Sequence, residues 1–308
     1  MHKVTVVGAG SVGAAVAFAA VVRGVAEKVA LYDVDGPRAE AEALDLRHGL
    51  QFAPTGDVFG GADPTLLRHS DVVVLAAGAK QRPGQSRLDL AAANARMTRA
   101  VMPVIAQHAP EAIVLVVTNP CDVITYVAQE IADDPMRIFG TGTVLDTARL
   151  RVLLADRLGV AVGNIHATIV GEHGDSEFAL WSSATAGGAP MLGWRTSNST
   201  VLDVSDLEAM ADEVRGAAYR IIAGKGATSS AIGLATARIL AAISDDEHAV
   251  LPVSTRHHIE GVGTVCLSLP MIVGRYGVLG SVDISLDETE RAALRHSAAA
   301  IRATLDSL

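Results

Sequence analysis

The stretch Val4-Thr5-Val6-Val7-Gly8-Ala9-Gly10-Ser11-Val12-Gly13 decides the fold. A β-branched run leads straight into three glycines spaced G-x-G-x-x-G, and a helical pattern then runs from Val12 to Arg23 with Gly24 as its stop. Strand, tight turn and buried helix in that order open a βαβ unit. Gly8, Gly10 and Gly13 make the turn, admit a pyrophosphate and pack helix on sheet, and the helix start at Val12 turns backbone N–H groups toward the anion. Val4 to Val22 carries no charged residue and follows His2 and Lys3, as in a signal peptide or membrane span. Its glycines and its lack of a leucine-rich block favour strand, turn and helix.

Outward from this unit the alternation continues. Val29 to Tyr32, Val72 to Ala76, Ile113 to Val117 and Arg137 to Phe139 read as further strands. Pro37 to Leu46, Leu88 to Gln107 with a bend at Pro103, and Asp122 to Ile131 read as the helices between them. Continuous apolar strands imply a sheet covered on both faces, so the pattern predicts an α/β, Rossmann-type doubly wound parallel sheet with ligands at the carboxyl ends of its strands. Asp33 closes the second strand about 20 residues past the last glycine, where a carboxylate accepts from ribose hydroxyls and repels a 2′-phosphate; NAD is favoured over NADP, with Arg38 as the complicating cation nearby. Gly78, Ala79, Val117, Asn119 and Thr141 lie at other strand ends as candidate cofactor contacts.

After residue 142 the pattern changes, dividing the chain into a dinucleotide-binding domain, 1–142, and a mixed α+β substrate domain, 143–308. A helix from about Thr143 to Leu158 gives way to hairpin-like runs around Ile165 to Val170 and Ala179 to Thr185. Ser205 with Glu208 reads as a capping box for a helix reaching Gly224, and Asp287 with Glu290 starts a last helix ending near Leu305.

The chain has 308 residues, half of them apolar, with a net charge of -9 and no basic run, which argues against nucleic-acid binding by broad electrostatic attraction. No other apolar stretch is long enough to span a membrane. Cys121 and Cys266 lie far apart and outside any C-x-x-C pattern, so neither disulfides nor a thiolate metal site is indicated, and a reducing cytoplasm fits best. Cys121 reads as a small buried hydrophobe. Adjacent His257-His258 have no companion ligands and read as surface, so no metal is expected.

The chemistry sits in the second half. Asp146 and Arg149 stand one helical turn apart in V-L-D-T-A-R-L-R, and His173 follows in G-E-H-G-D-S-E. Arg149 offers a planar fork for a carboxylate, while Asp146 behind His173 fixes its tautomer and raises its pKa above about 6.5. Singly, these are an exposed ion pair and a loop histidine; together they suit reduction of a 2-oxo acid. The polar loop from Gly78 to Arg87 reads as a closing lid that carries Arg87.

With that loop, T-N-P at Thr118 to Pro120, D-T-A-R at Asp146 to Arg149, G-E-H-G-D-S at Gly171 to Ser176 and K-G-A-T at Lys225 to Thr228, the chain resembles the lactate and malate dehydrogenase family nearly end to end. The resemblance implies His173 as proton donor with Asp146 as its partner, Arg149 as carboxylate clamp and Arg87 as the group that polarises the carbonyl. It implies that Asn119 links the nicotinamide end to the substrate, that Thr228 lines the pocket near the variable group, and that Ile232 packs by the nicotinamide. Malate members carry a second arginine two residues before the Pro-Gly pair; Gln81 stands there, which favours pyruvate and lactate, although Arg82 is adjacent and oxaloacetate is the alternative. Arg151 and His166 correspond to the pair that binds fructose 1,6-bisphosphate in allosteric bacterial members, against the plainer reading of a solvated helix arginine and a strand histidine. The family also implies the L-isomer and a homotetramer. A non-catalytic dinucleotide sensor would keep the glycines and Asp33 but would have no need of His173, Arg87 or Arg149.

Overall fold

The computed structural model describes residues 1–79, 87–195 and 202–308, with the side chain of Arg87 left out. Its first half runs β1 (Lys3–Val7), α1 (Ser11–Arg23), β2 (Lys28–Tyr32), α2 (Gly36–His48), β3 (Asp57–Gly61), β4 (Val72–Leu75), α3 (Arg87–His108), β5 (Ile113–Val116), α4 (Cys121–Glu130) and β6 (Ile138–Gly140). These six strands are parallel, in the order β6-β5-β4-β1-β2-β3. The order reverses between β1 and β4, so the loops after these two strands part and leave a crevice at their carboxyl ends.

Alternation along each strand explains why both faces are covered. Val72 and Val74 of β4 join a core with α1 residues Val16 and Ala20, whereas Val73 and Leu75 join another with Ile105 of α3 and Ile124 of α4. The charge-free stretch Val4 to Val22 is therefore a strand and a helix inside a folded core. Among the described residues, no helix is long and apolar enough to cross a membrane.

The second half runs α5 (Val144–Leu158), β7 (Ile165–His166), β8 (Ile169–Val170), β9 (Phe178–Ala179), β10 (Thr185–Ala186), β11 (Ala189–Pro190), α6 (Val204–Lys225), α7 (Ser230–Ser244), β12 (Ala249–Ile259), β13 (Gly263–Gly274), β14 (Gly277–Ser281) and α8 (Glu288–Asp306). The expected short pairings are present, β8 with β9 and β10 with β7, both antiparallel. Helix α7 was not expected, and three further features differ from the reading of the chain. β3 was not anticipated, because Phe59-Gly60-Gly61 carries no apolar run and Gly60 is held by packing, a Cβ there falling 2.2 Å from the Ala39 carbonyl oxygen. β12, β13 and β14 were also missed. They add antiparallel to β6, so one nine-stranded sheet crosses from the first half into the second.

The third difference is the cap of α6. The box is formed by Asp203 and Asp206, and Ser205 donates its hydroxyl to Asp203 Oδ1 at 2.7 Å instead of starting the helix with Glu208. An aspartate two residues earlier already offers an acceptor with extended backbone, and it satisfies the first-turn amides one step sooner. α6 also continues past Gly224 to Lys225, where Gly226 ends it. The Asp287–Glu290 box at the start of α8 is present as expected.

Candidate active site

The glycine turn after β1 is shaped by its neighbours. Gly8 has φ +102°, and a Cβ there would lie 2.6 Å from the Ala77 backbone; one on Gly13 would lie 1.8 Å from the Gly8 carbonyl oxygen. A Cβ on Gly10 would meet nothing within 4 Å. The outer two glycines thus answer the packing of the chain itself, and the middle one opens the start of α1 to an incoming group. Gly10 caps α1 without a side-chain hydrogen bond, which leaves the first-turn amides near Val12 for an anion.

Asp33 lies one residue past β2. Its Oδ2 accepts from Ala9 N at 2.6 Å and its Oδ1 from Asp35 N at 3.0 Å, so it braces the glycine turn as well as marking the strand end. An ionised carboxylate has about four acceptor sites, so ribose hydroxyls can still be met. Arg38 is exposed in the first turn of α2, where its backbone N donates to Asp35 Oδ1 at 3.3 Å. An open glycine cradle, an uncapped helix start and a carboxylate at the next strand end together fit a dinucleotide.

Gly78 and Ala79 follow β4, and Asn119 follows β5. Asn94 of α3 ties the two loops together: its Oδ1 accepts from Ala79 N at 2.8 Å and its Nδ2 donates to the Asn119 carbonyl at 2.6 Å. It is 2 % exposed, a polar side chain on the buried face of an otherwise small-residue helix stripe, and the reading of the chain passed over it. Val117 is buried, as is Thr141, whose hydroxyl turns inward to Cys121 Sγ at 3.8 Å. Ile232 is half-buried on α7 against the sheet's core, and Thr228 lies in the turn between α6 and α7, outside the lining of the cavity described next. Gln81, with Lys80 and Arg82 to Ser86, falls outside the described residues, and of Arg87 only the backbone, opening α3, is described.

A cavity of about 400 Å3 lies beside Asn119, with Asp146, Arg149, His173 and Glu177 in its wall. The first turn of α5 supplies Asp146 and its next turn Arg149, while the start of α5 is pinned by Thr143, whose hydroxyl donates to the Ile169 carbonyl at 2.6 Å. His173 is held from behind. Its backbone N donates to Asp122 Oδ2 at 2.7 Å, and Asp122, in the first turn of α4, also accepts from Ser254 Oγ of β12 at 2.6 Å. Burial, the largest effect, raises the Asp122 pKa to about 6 against the hydrogen bonds from Ser254 and the His173 amide. Asp122 therefore ties α4, β12 and the histidine loop into one unit.

Asp146 serves two cations. Oδ2 accepts from His173 Nδ1 at 2.6 Å and Oδ1 from Arg149 Nη1 at 2.7 Å, with the Asp146 side chain 3 % exposed and those of Arg149 and His173 15 % and 23 %. Burial alone would raise the Asp146 pKa, but the charges and hydrogen bonds of His173 and then Arg149 hold it below the ordinary carboxylate value. For His173, burial acts downward and is the largest effect. Asp146 outweighs it through charge and hydrogen bond, with Asp122 adding, and the pKa rises to about 9. With Nδ1 engaged, Nε2 is the nitrogen left to meet a ligand, and the ring carries its proton at neutral pH.

Ligand atoms of Asp146, His173 and Glu177 lie within 4.8 Å of one another. The 2.6 Å contact between Nδ1 and Oδ2 is a hydrogen bond, closer than two ligands of one metal ion would stand, so this cluster reads as acid-base machinery. Cys121 is 1 % exposed with its thiol pKa pushed up to about 12 by burial, and burial likewise pushes Cys266 upward, so neither is a nucleophile. His257 and His258 stand on β12, where His257 Nε2 bonds the Thr255 hydroxyl at 2.7 Å. Arg151 Nε donates to the Ala167 carbonyl at 2.8 Å, which sets its guanidinium beside β7, and His166 on that strand is exposed.

Comparison with known proteins gives one consistent picture. The family model described as lactate/malate dehydrogenase, NAD binding domain, matches residues 2–140, and that described as lactate/malate dehydrogenase, alpha/beta C-terminal domain, matches residues 143–308. The chain is 46 % identical over 305 residues to an L-lactate dehydrogenase of Bifidobacterium animalis subsp. lactis (strain AD011), spanning 98 % of this chain and 95 % of that protein. It is 44 % identical over 310 residues to an L-lactate dehydrogenase of Synechococcus sp. (strain JA-3-3Ab), spanning 99 % of each. The solved structure of the minor L-lactate dehydrogenase from Enterococcus mundtii, in its ligands-bound form, superposes with a TM-score of 0.94 at 39 % identity, covering 100 % of this chain and 98 % of that one.

Proposed function

The chain belongs to the lactate/malate dehydrogenase family, and from that membership and the geometry of the site we infer that it acts as an NAD-dependent L-lactate dehydrogenase, interconverting pyruvate and L-lactate. The observation that carries the chemistry is the carboxylate of Asp146 holding His173 and Arg149 at 2.6 and 2.7 Å in one cavity wall. When bound, NADH supplies the hydride that reduces the carbonyl carbon. Arg149 spends Nη1 on Asp146 and turns its remaining donors to the substrate carboxylate. Nε2 of the His173 imidazolium gives its proton to the carbonyl oxygen, and in the reverse direction the neutral ring takes it back. Asn119, held by Asn94, borders the same cavity and takes the role of linking nicotinamide and substrate, and Arg87 is assigned the role of meeting the developing oxyanion on the resemblance of its motif.

The substrate is set at position 81. A glutamine offers no cation to a second carboxylate, so pyruvate is accepted and oxaloacetate is left with an unpaired charge. Gln81→Arg is expected to move the ratio of kcat/KM values for oxaloacetate over pyruvate upward by about 100-fold or more, the worth of a desolvated charge pair of roughly 3 kcal/mol. Rates on both oxo acids before and after the change measure it, and an unchanged ratio removes Gln81 as the selector.

Further parts of this reading concern assembly and control. We divide the chain into two domains at residue 142, a reading supported by the passage there from strand β6 to helix α5. Phe18 and Val22 of α1, Val152 of α5 and Leu234 of α7 are 46 to 59 % exposed, and Val152 and Leu234 line an apolar cavity of about 590 Å3; this face supports a homotetramer, in which a second copy covers it. Arg151 and His166 hold fructose 1,6-bisphosphate, and the effector favours the active state. Two free, buried thiols accord with a reducing cytoplasm. One experiment tests the function: NADH consumption with pyruvate or oxaloacetate, repeated with NADPH and with fructose 1,6-bisphosphate at limiting pyruvate. Turnover is expected with pyruvate and NADH, raised by the bisphosphate. No turnover on either acid sinks the function, and a flat response to the bisphosphate sinks the effector site alone.

A further inference from the structure

Glu177 stands at the end of the run that carries His173, 5 % exposed in the cavity wall, and its Oε1 is buried with no hydrogen-bond partner among the described residues. Arg215 of α6, which has a guanidinium to offer, donates to the Glu177 backbone carbonyl at 3.1 Å. An ionised carboxylate in such a place is costly, whereas a neutral carboxyl is tolerated. The charged groups facing it are Asp146 and Arg149 from α5, His173 from its own segment and Arg215 from α6. Burial first, and then the negative charge of Asp146, raise the Glu177 pKa to about 9 against the pull of the three cations.

The charge count of the pocket gives this a consequence. Asp146 offsets the charge of Arg149, so among these three groups protonated His173 adds a net positive charge that favours an incoming carboxylate, with Glu172, Asp175 and Arg215 also in the wall. An ionised Glu177 would cancel that charge before the substrate arrives and would set a second anion beside it.

We propose that Glu177 serves as a neutral carboxylic acid in the substrate pocket, and that its ionisation, in addition to the loss of the His173 proton, shuts a 2-oxo acid out in alkaline solution. The inference rests on the reading of this site as a pyruvate reductase. Glu177 acts through the field at Arg149 and His173 and is a positioning residue.

Two measurements test it. The first is the infrared difference spectrum between the wild-type chain and Glu177→Gln, without substrate, at about pH 8, where Asp122 is already ionised. A protonated-carboxyl band is expected in the wild type and absent from the variant. The second is kcat/KM for pyruvate at saturating NADH as pH rises past about 9. With two protons lost, the wild type is expected to fall about 100-fold per pH unit at the limit, and Glu177→Gln only about 10-fold. Glu177→Met, which also removes the titrating group, must give the same one-proton limb should the glutamine amide disturb the pocket. A purely structural Glu177 would leave both limbs parallel. Missing band or equal slopes overturn the proposal. A chain that reduces pyruvate without showing the band fails this proposal alone, while one that shows the band but reduces no 2-oxo acid overturns the parent reading and the exclusion step with it.

Discussion

Replacing His173 with alanine is expected to lower kcat for pyruvate reduction by about 10^3-fold or more, within or beyond the roughly 10^2 to 10^4 that a positioned general acid contributes, while NADH binding changes little. The separation follows from the layout. His173 is anchored from α4, α5 and β12 through Asp122 and Asp146, whereas the glycine cradle and Asp33 belong to β1, α1 and β2. Truncating the ring removes the proton source without touching the dinucleotide contacts. The pH profile adds a signed check. The raised His173 pKa makes the charged form available throughout the neutral range, and pyruvate reduction loses its acid as pH climbs through about 9. Asp146→Asn removes the main upward influence and leaves burial to act, so the alkaline limb moves to lower pH. A His173→Ala chain that retained a tenth or more of the wild-type kcat would end the assignment of His173 as the acid.

Parts of this site were legible because they rest on local spacing. Asp146 and Arg149 are three residues apart, and any helix there brings them to one face; the glycines and Asp33 were readable because a strand-turn-helix unit leaves little freedom in where they stand. What escaped depends on contacts between distant stretches. Asp122 looks like an ordinary first-turn aspartate, and only the approach of Ser254 and the His173 amide makes it the brace of the histidine loop. Asn94 is a single polar residue in a helix, given its role by two loops that follow different strands. Glu177 closes the G-E-H-G-D-S-E run with nothing in its spacing to mark it, since the lack of a hydrogen-bond partner for its Oε1 among the described residues is a property of the folded pocket. The hairpin of β12 and β13 was hidden by Thr255, Arg256, His257 and His258, polar residues that a partly exposed antiparallel strand carries freely.

Arg149→Lys is expected to lower kcat/KM for pyruvate by about 10- to 100-fold, chiefly through KM, with a larger loss in Arg149→Gln. Lysine keeps the charge, and with it the ion pair to Asp146, but it has no planar fork: once its ammonium serves Asp146, the two-on-two match to a carboxylate is gone. A charge-assisted hydrogen bond contributes roughly 1.5 to 3 kcal/mol, which at about 1.4 kcal/mol per decade gives the expected range. Glutamine also leaves Asp146 buried without its second cation, a loss of about 3 to 5 kcal/mol when one member of a buried pair is removed, so the glutamine variant should unfold at lower temperature whereas the lysine variant should not. The two readouts separate clamp from strut. A lysine variant with wild-type KM for pyruvate would mean that the substrate carboxylate is held elsewhere, and a glutamine variant as stable as wild type would mean that Asp146 does not depend on Arg149. If both losses occur as described, a single guanidinium holds the substrate on one side and, on the other, helps keep ionised the carboxylate that stabilises the protonated form of His173.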